Sequence, residues 1–166
     1  MSDTIQEMVC EEDTQKGKFL TFSVGEEIFG IEIQYVTEII GIQQITSLPE
    51  VPEYIKGVIN LRGKIVPVID VRIKFKKESI QYTDRTCIIV IDTEEITVGL
   101  IVDKVAEVLN LDDDNIVEPP NQRVGIENKY IQGIGKYEEQ VILLLECNKL
   151  LNKKESNEIN KISMGE

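Results

Sequence analysis

The sequence predicts an all-β protein made of two similar five-stranded units in tandem. Isoleucine, valine and leucine dominate positions 19–151 while aromatic residues make up only 5% of the chain, and β-branched side chains at that density favour the pleated, half-buried surface of a strand. Turn residues recur at short intervals between these apolar runs, as in a protein of many short strands. The third observation is an internal repeat. "FGIEIQYVTEII" (29–40) lies over "VGLIVDKVAEVL" (98–109) at an offset of 69 residues, which matches Gly30 to Gly99, Val36 to Val105 and Glu38 to Glu107. The same offset sets "FLTFSVGEE" (19–27) on "IIVIDTEEI" (88–96). At an offset of 76, "YIKGVI" (54–59) lies over "YIQGIG" (130–135) and "KIVPVID" (64–70) over "QVILLLE" (140–146), so the second half carries a seven-residue insertion.

The elements follow in order. The first half reads as a strand over 18–24, a turn at Gly25-Glu26, a strand over 28–33, a tight helical turn at 34–37 and a strand over 38–48. Pro49 and Pro52 then mark a loop before strands 57–61 and 64–70. Five short strands with edges to be closed or covered fit a compact meander barrel. Residues 86–147 repeat the pattern, which places one barrel at about 18–75 and the other at about 86–147, joined by "RIKFKKESIQYTD". The basic run "RIKFKK" (72–77) within that linker reads as a solvated edge. Leu150 and Leu151 open a short C-terminal helix that gives way to a polar tail at 152–166, and residues 1–17 form an acidic N-terminal tail.

Leu61-Arg62-Gly63-Lys64 joins two strands, with Gly63 supplying the positive φ of a tight hairpin and Arg62 at its tip. A phosphate loop would need glycine and lysine at another spacing and a helix after them. Pro67 cannot donate a ladder hydrogen bond, which implies an edge position or a bulge. Asp112-Asp113-Asp114 lacks the glycine and distal glutamate of a calcium loop and reads as a solvated turn.

Composition narrows the function. A formal net charge of −12 repels nucleic acid and anionic lipid. The chain has no histidine, so a Ser-His-Asp or Cys-His site and phosphohistidine chemistry are impossible within it. Cys10, Cys87 and Cys147 are odd in number and widely spaced, with no C-x-x-C, which fits a reducing cytoplasm and argues against a zinc site or disulfides. No apolar run is long enough for a signal peptide or a membrane span. No metal or other cofactor is expected.

"GEEIFGIEIQYVTEIIG" followed by "PEYIKGVINLRGKIVPVIDVRIKF", with "VGLIVDKVAEVL" and "YIQGIGKYEEQVILLLE" beyond, resembles the CheW-like domain family of bacterial chemotaxis coupling proteins over residues 18–151. The run N-L-R-G-x-I-x-P-V-x-D is its most specific part. The resemblance implies a non-catalytic scaffold of two packed Src-homology-3-like barrels. It implies as partners the cytoplasmic tips of methyl-accepting chemotaxis receptors and the regulatory domain of the histidine kinase CheA, and it leaves the tails too short for a further domain. By position it implies a receptor-binding groove of Val36, Glu38, Arg62, Cys87 and Val108, with Cys87 where the family commonly has an aliphatic residue. It implies a kinase-binding surface on the first barrel near Ile45, Gly57 and Ile59. Ile59 and Val36 read equally well as core residues, and Gly57 as a backbone requirement. The competing readings are an adaptor for a non-chemotactic receptor and a small-molecule-binding or enzymatic barrel, for which Glu38, Arg62, Asp70 and Asp103 are the candidate polar groups.

Overall fold

The structure, a computed structural model, describes residues 17–75, 77–78, 80–93, 96–118 and 130–150. The expected tails at 1–17 and 152–166 fall outside these residues except for Gly17, as does the chain beyond Leu150 where the C-terminal helix was expected; Cys147–Lys149 just before it is one 3-10 turn. The described chain is mostly strand: β1 Lys18–Val24, β2 Glu27–Glu32, β3 Val36–Gly41, β4 Ile55–Leu61, β5 Lys64–Asp70, β6 Cys87–Asp92, β7 Thr97–Val102, β8 Lys104–Asn110, β9 Ile116–Val117, β10 Ile131–Tyr137 and β11 Gln140–Leu145. One short helix, α1 (Val71–Lys74), follows β5.

Two sheets form, one in the order β8-β1-β2-β11-β10-β9 and the other β3-β6-β7-β5-β4. The division at 18–75 and 86–147 is therefore not the division between sheets: β1 and β2 join the later strands β8 to β11, while β6 and β7 join β3, β4 and β5. The exchange is reciprocal and keeps the repeat's register. Phe19 pairs with Leu109 on one side and Ile88 with Ile40 on the other, and the parallel ladders match Leu144 to Gly30 and Val68 to Gly99. Both sheets close on themselves through one bent segment. The chain leaves β6's partner β3 at Gly41 and pairs again at Thr46 with Val58 of β4; it leaves β8 at Asn110 and returns as β9 beside β10. The continuous strand expected over 38–48 is thus broken at 42–45, because a strand that pairs with β6 at one end and β4 at the other must turn the barrel's corner.

Strands shared by two cores are apolar on both faces. Along β6 and β7, Ile88, Val90 and Ile101 fill the interior of the β3-β6-β7-β5-β4 barrel, whereas Ile89, Ile91 and Leu100 enter a central cluster between the two sheets. Phe19, Leu109, Leu111, Ile142 and Leu144 fill the other barrel. Each such buried isoleucine or leucine contributes roughly 1.5–3 kcal/mol. In the central cluster Phe22, Phe29, Phe75 and Tyr130 form a chain of ring contacts with centroids 5.8, 5.4 and 5.6 Å apart.

Two expectations are corrected near this cluster. "RIKFKK" is not simply a solvated edge: the Lys74 ammonium lies 4.1 Å from the Tyr54 ring centroid and 5.0 Å from that of Tyr130, equivalent positions of the repeat, and Lys74 is only 9% exposed. Its aliphatic stem packs with apolar groups while the charge meets aromatic faces. Pro67 is not at an edge either; it is buried in β5, between β4 and β7. Its carbonyl lies on the β7 side, 3.8 Å from the place a Gly99 side chain would begin, so the missing N–H also faces β7, where the ladder starts one residue later at Val68.

Candidate functional site

The β4–β5 hairpin closes at the pair Leu61–Lys64, leaving a two-residue loop of Arg62 and Gly63 with φ of 53° and 87°. Positive φ at both residues is the type I′ geometry that matches strand twist. The Asn60 side-chain Oδ1 accepts a hydrogen bond from the Gly63 N–H at 2.8 Å. Arg62 projects into solvent with its side chain 71% exposed, and its Nη2 forms an ion pair with Glu38 Oε2. Glu38 is carried by β3 just past a bulge: Val36 pairs with Ile91 and Glu38 with Val90, so Thr37 is the extra residue, and its hydroxyl donates to the Val90 carbonyl at 3.0 Å. β3 and β4 are not neighbours in the strand order; Arg62 and Glu38 meet because the barrel closes.

An exposed ion pair contributes about 0–1 kcal/mol, so this one does little to hold the fold. It holds a planar, five-donor guanidinium in place at the surface.

The remaining residues expected in the receptor groove are dispersed. Val36 is two residues before Glu38 on β3 and half-buried against the central cluster. Cys87 faces Gly41 across the β3–β6 ladder, four residues from Ile91 or about 13 Å at strand spacing, and its Sγ donates to the Arg85 carbonyl. Val108, 48% exposed, stands on β8 in the other sheet, at the position equivalent to Ile39, which is also exposed. The structure thus brings Glu38 and Arg62 into contact, with Val36 alongside, and sets Cys87 and Val108 on other strands. Of the expected kinase surface, Ile45 sits half-buried at the barrel corner. Ile59 is 1% exposed inside the barrel and does not itself present a surface. Gly57 is likewise buried, with φ of 145°; a side chain there would begin 2.0 Å from the Thr46 carbonyl oxygen.

The other acidic candidates serve the scaffold. Asp70, 2% exposed, accepts from the Arg72 N–H at 2.9 Å, capping α1, and from the Tyr82 hydroxyl at 2.7 Å. Burial, reinforced by Asp70, pushes the Tyr82 hydroxyl well above the usual tyrosine range. Asp103 receives both prongs of the Arg72 guanidinium, at 3.0 and 2.6 Å, and the Gly25 N–H at 2.8 Å. Burial alone would raise its carboxyl, but the guanidinium and the Gly25 N–H outweigh that and hold it below the usual carboxylate range. The Arg72–Asp103 fork and the hydrogen bond from the Gly63 N–H to Asn60 were missed in the sequence; only the two-residue hairpin length signalled positive φ at Arg62 itself. Among the described residues no His, Cys, Asp and Glu side chains gather as metal ligands, and no helix is long and apolar enough to cross a membrane.

The chain is similar in sequence and fold to known proteins. The chain is 37% identical over 151 residues to the chemotaxis protein CheW of Klebsiella aerogenes, covering 91% of each chain. It is 34% identical over 139 residues to that of Bacillus subtilis, covering 84% of this chain and 89% of the other. The crystal structure of the scaffolding protein TtCheW from Thermoanaerobacter tengcongensis superposes with a TM-score of 0.77 at 35% identity, covering 84% of this chain and 94% of that one. The CheW-like domain model matches residues 18–155. With the repeat, the two exchanged barrels and the Arg62 hairpin all inside the matched span, the chain belongs to the CheW-like domain family.

Proposed function

We propose that this chain is a non-catalytic chemotaxis adaptor that couples methyl-accepting chemoreceptors to the regulatory domain of the histidine kinase CheA, in the cytoplasm at membrane receptor arrays. The observation that carries the reading is the exposed Arg62, aimed by a rigid hairpin and paired with Glu38 across the barrel's closure. Arginine in such a fixed geometry recognises carboxylates and backbone carbonyls on a protein partner. Val36, Glu38, Arg62, Cys87 and Val108 serve the receptor. Ile45 serves the kinase, with Gly57 and Ile59 acting through the barrel that shapes that surface. The scaffold roles of Asp70 and Asp103 favour an adaptor over an enzymatic barrel.

The test is Arg62→Ala with paired thermal melts and binding assays. Folding is expected to change by less than about 0.5 kcal/mol, as for an ordinary surface substitution. Affinity for a receptor signalling fragment is expected to fall by about twentyfold or more, the effect of truncating an interface hot spot, with binding to the kinase regulatory domain retained. Early melting, or normal binding to both partners, makes Arg62 a turn residue and removes this reading.

A further inference from the structure

The loop that carries the Arg62–Glu38 contact is closed by a bond that neither residue makes. In a two-residue type I′ loop the favoured first residue is asparagine or glycine, which accept positive φ at little cost. Here that position is arginine at φ 53°, and an asparagine stands two residues before it, at Asn60, gripping the loop from outside by accepting from the Gly63 N–H. Asn60 is exposed and faces Ile65 across the hairpin, so its side chain belongs to no core cluster. Leu61 packs against the barrel interior and anchors the hairpin's base. The direction of the tip is then decided by the turn. If the loop relaxes to a conformation with negative φ at residue 62, the arginine Cβ swings to another side of the hairpin and loses Glu38.

We propose that Asn60 is a positioning residue for partner recognition: its Oδ1 closes the turn that aims Arg62 at Glu38, and so sets the affinity of this site for the receptor. The inference rests on the receptor reading given above. It concerns a side chain that need not touch the partner, and it predicts coupling between Asn60 and Arg62 that a merely structural residue would not show.

The experiment uses the full chain as Asn60→Ala, Asn60→Asp, Arg62→Ala and the Asn60→Ala/Arg62→Ala double variant, with a cytoplasmic chemoreceptor signalling fragment and the kinase regulatory domain as probes. Asn60→Ala is expected to weaken receptor binding about fivefold, the equivalent of one net hydrogen bond, and to leave kinase binding unchanged. Asn60→Asp keeps an acceptor oxygen and is expected to restore receptor binding. In the Arg62→Ala background, Asn60→Ala is expected to add nothing. Hydrogen exchange at the Gly63 amide is expected to quicken in Asn60→Ala and not in Asn60→Asp. Full receptor affinity in Asn60→Ala, an additive loss in the double variant, unchanged Gly63 exchange, or an unfolded protein that loses both partners together each overturns the inference. If Arg62→Ala itself leaves receptor binding intact, the receptor reading falls and takes this inference with it. If Arg62→Ala weakens binding and Asn60→Ala does not, this inference alone falls.

Discussion

Gly57→Ala tests how the barrel closes. The Thr46–Val58 bridge joins the bent segment after β3 to β4 with two backbone hydrogen bonds of 2.9 Å, from Thr46 N–H to the Val58 carbonyl and from Val58 N–H to the Thr46 carbonyl. Gly57 sits at the bulge beside this bridge, at φ 145°, and an added methyl would lie 2.0 Å from the Thr46 carbonyl oxygen and 2.7 Å from its carbon. Those are backbone atoms, so relief requires the bridge to open. Losing two net backbone hydrogen bonds costs about 1–3 kcal/mol. Holding a non-glycine residue at this φ costs about 1–3 kcal/mol more. A central value of about 4 kcal/mol is a large part of the 5–15 kcal/mol typical of a domain and lowers the melting temperature by roughly 8–16 °C. Urea unfolding, read as a shift of midpoint at constant slope, measures it. Gly41→Ala is the control, since nothing lies within 4 Å of a side chain there. A loss below about 1 kcal/mol for Gly57→Ala, or an equal loss for Gly41→Ala, would show that the Thr46–Val58 bridge does not depend on the bare backbone at Gly57. Any fall in kinase binding by Gly57→Ala should track the folded fraction.

Arg62→Gly should raise stability by about 0.5–1 kcal/mol, because residue 62 has φ of 53°, while abolishing the Glu38 pair; denaturant melts and receptor binding then move in opposite directions. Asp103→Asn should cost about 2 kcal/mol through loss of a charge-assisted fork with Arg72. Because the folded Asp103 carboxyl lies below its ordinary value of 3.8, its contribution is full above that pH and is lost as pH falls through the folded value. The stability gap between wild type and Asp103→Asn should therefore be constant near neutrality and narrow only in acid below about pH 4, as melts across pH would record. Burial, with Glu146 and Glu32 adding to it, pushes the Cys147 thiol up to about 12. At pH 8 Cys147 should resist maleimide in the folded protein and react only at the rate of unfolding, as read by peptide mass spectrometry.

Short-range chemistry was legible in the chain. β1 and β5 occur at the residues expected, because short apolar runs bounded by Gly25 and by Arg62-Gly63 are local signals. The repeat also survives in the structure, down to Val68–Gly99 answering Leu144–Gly30. The Arg62 hairpin was visible too, since a two-residue loop leaves few conformations. Partner choice was not visible. β1 and β2 carry the same apolar pattern as their counterparts β6 and β7, so pattern alone satisfies pairing within a half or between halves; only packing around one central cluster selects the exchange. The same long-range closure brings Glu38 to Arg62, 24 residues later, and buries Ile59 and Gly57 inside a barrel. It also gives partners to Arg72 and Lys74, expected on a solvated edge, and to Asp103, expected among the polar groups of an alternative binding site. A side chain's neighbours are set by chain segments far away in sequence, and for a charged residue those neighbours decide between solvent, scaffold and site.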